Sequence, residues 1–184
     1  MSNPSKAMRC LLDKNVARYA IAGLRYGRLR PLSALEMGAL SFWHGAEEHG
    51  VSLFISRASS QVLKRLSGYD EVRVLLDSVR VLSPTRYHAR WSRRIRETTG
   101  LTREDAAMIA LSSFGSDERG GILGTHGLVT YDQPMINGYL NHLPRLERRL
   151  QAMAAQLPAP FRRVTLPRVA TPDEAQSRLF SPTC

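Results

Sequence analysis

Three aspartates, Asp13, Asp105 and Asp132, occupy positions from which carboxylates could hold a divalent cation in one cleft. Asp13 and Asp132 each follow a short apolar run, MRCLL and GLVTY, that reads as a strand. Asp105 stands in the first turn of the helical segment LTREDAAMIALSSF. In a parallel sheet the carboxyl ends of strands and the N-terminal turns of helices meet along one edge, where ligands bind. Acids gathered there repel one another unless a cation neutralises them. The chemistry this predicts is metal-assisted work on phosphate.

Each aspartate also has a purely structural explanation. Asp13 can cap a helix beginning at Lys14, and Asp132 can cap one with Pro134 near its start. Asp105 is three residues beyond Thr102, the spacing of a capping box. Taken singly, each favours capping; taken together, three acids on one edge favour a site.

The elements that would position them alternate along the chain. Strands are predicted at 8–12, 51–56, 79–83 and 127–131, with a fifth extended piece in RVTLPRVA. Helices are predicted over 14–25, 33–48, 59–66, 85–98, the segment after Thr102, the segment after Asp132, and 145–156, with a last one opening at TPDEA. Ser33 and Glu36 form a second capping-box pattern, and Gly100 suits the residue just past a helix end. Short strands alternating with helices predict an α/β fold, a three-layer α/β/α arrangement on a short-stranded parallel sheet.

At 184 residues the chain is read as one domain, with a basic helical insert at about 141–160 before the last strand. Neither a membrane-crossing run nor a signal-peptide pattern is present in the sequence, and two cysteines, Cys10 and Cys184, make no disulfide framework. A cytoplasmic setting is expected. A net charge of +10 and a pI near 10.4 predict a polyanionic partner. Arginine supplies most of that charge, and its planar fork suits phosphate.

The motifs together resemble the PIN domain, a metal-dependent nuclease family that includes the ribonucleases of bacterial toxin–antitoxin pairs. LLDKNV, with Asp13 and Asn15, resembles the family's opening strand and Asp-x-Asn. TREDAAMIALSSF, with Asp105 and Ala106, is similar to its Asp-Ala helix. GLVTYD, with Thr130 and Asp132, resembles its Val-Thr-x-Asp strand end, and RVATPDEA its last strand and turn. The resemblance spans about Met8 to Ala175 and implies a strand order of 3-2-1-4-5. It further implies Mg²⁺ or Mn²⁺ on Asp13, Asp105 and Asp132 and hydrolysis of phosphodiester bonds, with RNA the expected substrate and DNA the alternative. Asn15, Thr130 and Gln61 would hydrogen-bond the acids or metal-bound waters. Dimerisation is common in the family, but no interface can be read here.

One departure stands out. The family usually carries a glutamate on the helix after the second strand, where this chain reads ISRASSQVLKRL and offers Gln61. Glu36 is an alternative under a different strand register, whereas Glu104 points about 100° away from Asp105 on its helix. The missing acid keeps open a catalytically impaired RNA-binding or assembly module; a toxin neutralised by a small antitoxin is a separate alternative.

The segment TRYHARWSRRIRETTG places Arg86, Arg90, Arg93, Arg94 and Arg96 around a stripe of Tyr87, Trp91 and Ile95. It is predicted to bury the stripe and present the arginines to nucleic acid. Arg145, Arg148 and Arg149 form a second basic cluster within the insert. His44 and His49 lack HExxH spacing, GGILGTHG precedes a strand rather than a helix, and there is no nucleophile elbow or Walker lysine.

Overall fold

The computed structural model describes residues 8–179; Cys184 and the remaining terminal residues lie outside them. The chain alternates as the sequence patterning predicts. β1 (Arg9–Leu12) leads into α1 (Lys14–Tyr26) and α2 (Ala34–Glu48), then β2 (Ser52–Ser56), α3 (Arg57–Arg65), α4 (Asp70–Ser78) and β3 (Val79–Pro84). The second half runs α5 (His88–Thr99), α6 (Arg103–Phe114), β4 (Gly115–Ser116), β5 (Gly127–Val129), α7 (Gln133–Asn141) and α8 (Leu143–Ala154). A 3₁₀ turn (Phe161–Arg163), β6 (Arg168–Ala170) and α9 (Pro172–Leu179) complete it.

The sheet order is β4-β3-β2-β1-β5-β6. This differs from the expected five-strand order by an added edge strand: β4 pairs antiparallel with β3 through Ser83–Ser116 and Pro84–Gly115. The other pairings are parallel, with Leu12 beside Ile55 on one side and beside Val129 on the other.

Alternating strand residues feed two cores. Leu11, Phe54, Leu82 and Leu128 point into one with Trp91 and Ile109. Cys10, Leu12, Ile55 and Val129 point into the other with Val16, Phe42 and Leu75. Helices therefore cover both faces, as a parallel sheet requires. Trp91 and Ile95 are fully buried, so the stripe predicted on the basic helix is core. That helix starts at His88 rather than at Thr85, and Gly100 ends it in the left-handed conformation (φ 72°). Among the described residues no helix is long and apolar enough to cross a membrane.

Local signals act where the sequence places them. Ser33 and Glu36 form the reciprocal capping box, and Ser56 caps α3 by accepting from Ser59 N–H. Gly124, at φ 69°, lets the loop before β5 approach the α6 terminus; a Cβ there would lie 2.7 Å from the Ser112 and Ser113 carbonyl oxygens. Asp117 steadies the same loop, pairing with Arg80 and accepting from the Gly121 and Ile122 N–H groups.

Candidate functional site

β1 and β5 are hydrogen-bonded neighbours, and the chain leaves both at the same edge. Asp13 follows β1 directly, and its N–H donates to the Val129 carbonyl at 2.9 Å. Thr130 follows β5 and links the Asp13 carboxylate to the backbone of Asp132. Its fully buried hydroxyl donates to Asp13 Oδ2 at 3.0 Å and accepts from the Asp132 N–H at 3.0 Å. The other Asp13 oxygen accepts from Lys14 N–H at 2.7 Å, and Asp132 Oδ1 accepts from Met135 N–H at 2.9 Å. Both acids thus cap helices while remaining on one edge.

Burial pushes the Asp13 carboxyl above the ordinary carboxylate range. The Thr130 hydroxyl, the Lys14 N–H and the Lys14 charge oppose that rise, and repulsion from Asp132 adds to it. The Asp13–Asp132 repulsion places the two carboxylates in each other's field.

Asp105 is held differently. Thr102 Oγ1 donates to its Oδ2 at 2.6 Å and accepts from its N–H at 3.2 Å, which makes it part of the α6 cap. Glu104, the residue expected to point away, instead reaches across to α1 and pairs with the Lys14 ammonium. The Lys14 pKa is raised, first by the hydrogen bond to Glu104 and then by the charges of Glu104, Asp13 and Asp105. Lys14 is therefore the resident cation of this acidic edge.

The edge opens into a cleft of about 780 Å³. Asp13, Lys14, Asn15, Gln61, His88 and Glu104 line it, whereas Asp105, Thr130 and Asp132 do not. Its walls are largely aliphatic, from Ile21, Val62, Leu66, Met108 and Leu111. His88, which no sequence motif marks, lies 3.0 Å through Nε2 from the Ala107 carbonyl, and burial lowers its pKa.

Glu36 is not a substitute for the missing acid. Both of its oxygens are occupied by Arg30, at 2.7 and 2.8 Å, and by the Ser33 N–H at 2.9 Å, and it does not line the cleft. The expected glutamate position holds Gln61, which does line it.

Among the described residues no group of three His, Cys, Asp or Glu side chains stands close enough to hold a metal ion. Mg²⁺ retains most of its waters and needs only one or two carboxylates. Asp13 and Asp132 supply two carboxylates on this edge; like Asp105, each already accepts hydrogen bonds from the protein.

The arginines predicted to meet nucleic acid divide by exposure. Arg86, Arg90, Arg93 and Arg96 are exposed, and Arg94 is partly covered. No protein-family model, curated protein or solved structure matches the chain.

Proposed function

We propose that the protein is a metal-dependent endonuclease of the PIN type that hydrolyses phosphodiester bonds in RNA within the cytoplasm. The observation that carries this reading is the Thr130 hydroxyl joining Asp13 to Asp132 across two adjacent parallel strands. That hydroxyl holds the Asp13 carboxylate against the Asp132 backbone N–H, while Met135 N–H orients the Asp132 carboxylate, the kind of support seen around ligated cations. The basic charge and the exposed arginines of α5 support a polyanionic substrate.

In this reading Asp13 and Asp132 hold Mg²⁺ or Mn²⁺, and Asp105 contributes charge from the α6 cap. The ion supplies a lowered water pKa and neutralises charge on the scissile phosphate. Asn15 and Gln61 line the cleft and offer hydrogen bonds to water or substrate. Arg93, Arg94 and Arg96 hold the RNA backbone.

The test is Asp13→Asn, with cleavage of a single-stranded RNA followed in Mn²⁺ and folding checked by circular dichroism. Metal-stimulated cleavage is expected to disappear while the fold persists; an unchanged rate would refute the assignment.

A second reading is an RNA-binding or assembly module without turnover. It is favoured by Gln61 at the expected glutamate position and by Lys14 already paired on the acidic edge. Calorimetric titration with Mn²⁺ separates the two. Binding that Asp132→Ala removes favours the enzyme, and no binding favours the module.

A further inference from the structure

A second cationic feature lies away from the cleft, where α5 meets α8. Arg90, Arg94 and Thr98 recur every fourth residue along α5 and therefore share a stripe. Arg149 reaches onto that stripe from α8. Its guanidinium donates to Thr98 Oγ1 at 2.5 Å and lies 3.4 Å from the Arg94 carbonyl oxygen. Thr98 in turn donates to the same carbonyl at 2.7 Å. Arg149 is thus fixed by neutral acceptors rather than by an acid.

No close ion pair among the described residues answers the charges in this seam. Among the described residues no carboxylate lies within ion-pair distance of Arg90, Arg94 or Arg149. Neighbouring Arg93 has only Glu97, at 3.8 Å. The Arg94 pKa is lowered, first by burial and then by the nearby charges of Arg90 and Arg149, with Glu97 opposing them. Arg145 and Arg148 stand exposed on α8, one turn and one residue before Arg149 respectively.

Holding like charges together is unfavourable unless an anion answers them. Guanidinium groups form paired hydrogen bonds with phosphate oxygens. Arg90 and Arg94 are separated by about 6 Å along the helix axis, an arrangement suited to a repeating anion. None of Arg90, Arg94 and Arg149 lines the cleft.

We propose that the α5–α8 seam binds the phosphate backbone of single-stranded RNA outside the cleft, with Arg90, Arg94 and Arg149 as its contacts. The choice of RNA as ligand and the contact at Arg94 rest on the nuclease reading above; Arg90 and Arg149 belong to the seam alone, and it does not depend on metal. It gives α8, the basic insert of the sequence, a role in anchoring the strand.

The experiment measures binding of a fluorescent single-stranded RNA by anisotropy in EDTA, across a salt series. Each phosphate contact on a single strand contributes about 0.7 to the slope of log K against log salt. The combined variant Arg90→Gln, Arg94→Gln, Arg149→Gln should therefore lose about 2 from that slope. Arg149→Lys, which keeps the charge, should retain most of it. Should the triple variant fail to fold, the exposed single variant Arg90→Gln should still lose about 0.7.

A wild-type slope in a folded variant overturns the seam. So does a seam that takes a polyglutamate peptide but not RNA. RNA bound through these arginines but left uncut when Mn²⁺ is added removes the nuclease reading and leaves the seam. Metal-stimulated cleavage with an unchanged slope in the variant does the reverse.

Discussion

Thr130→Val isolates the link between the two strand-end acids. Valine has almost the same volume, so the change leaves no sizeable cavity, and its effect is confined to two hydrogen bonds. A bond to an ionised group contributes about 1.5–3 kcal/mol and an ordinary one about 0.5–1.5 kcal/mol. The two share an oxygen and do not add fully, so the expected loss at neutral pH is about 2–4 kcal/mol. For a chain of this size that corresponds to a Tm lower by about 5–15 °C. The loss should depend on pH. The Thr130 hydroxyl opposes the burial that raises the Asp13 pKa, so removing it raises that pKa further. A folded-state pKa above the unfolded value favours the protonated fold. That contribution is fully present below the ordinary carboxylate range and is lost as pH rises through the folded value. The variant should therefore lie closest to the parent in acid and fall behind as Asp13 ionises. Urea unfolding of both proteins at about pH 3 and at neutral pH reads this directly. Equal deficits at the two values would show that the hydroxyl does not serve the Asp13 charge, and the argument for a shared site would fail.

Lys14→Met removes the resident cation from the acidic edge. The Lys14–Glu104 pair is exposed on both sides, at 57% and 66%, so its own stability contribution is small. Calorimetric titration should show tighter Mn²⁺ binding, by several-fold; weaker binding would mean that Lys14 supports the site rather than competes for it. Arg30→Met tests the Glu36 pair, whose carboxyl is held down to about 2, first by the Arg30 hydrogen bonds. A depressed pKa gives stability that is present above the ordinary carboxylate range and lost as pH falls through about 2. The variant's deficit should therefore shrink on acidification, and a deficit constant from neutral pH to about pH 2 would count against the pair.

Much of the fold was legible because its signals are local. A cap needs only the residue itself and the next three, so Ser33, Thr102 and Asp132 were readable as helix starts. The buried stripe of α5 was readable from its spacing, since Trp91 and Ile95 are one turn apart. β4 was not readable: Gly115–Ser116 has no apolar pattern and exists as a strand only because Ser83 and Pro84 lie opposite. The site was legible to the same depth. That Asp13 and Asp132 lie on neighbouring strands followed from the strand order that the PIN resemblance implies, not from any local pattern. The angular offset between Glu104 and Asp105 was also readable, but which of them meets the cleft depends on how α6 docks, a long-range property. The same limit hid His88, which reaches the cleft only through the packing of α5 against α6.

The aliphatic walls of the cleft bear on selectivity. Discriminating one base from another requires donors and acceptors matched to base edges, and Ile21, Val62, Leu66, Met108 and Leu111 offer none from their side chains. The groups in the cleft that do offer them include Asn15, Gln61 and His88. In the nuclease reading proposed above, any base preference would rest on such polar groups, and the aliphatic walls would favour every strand alike.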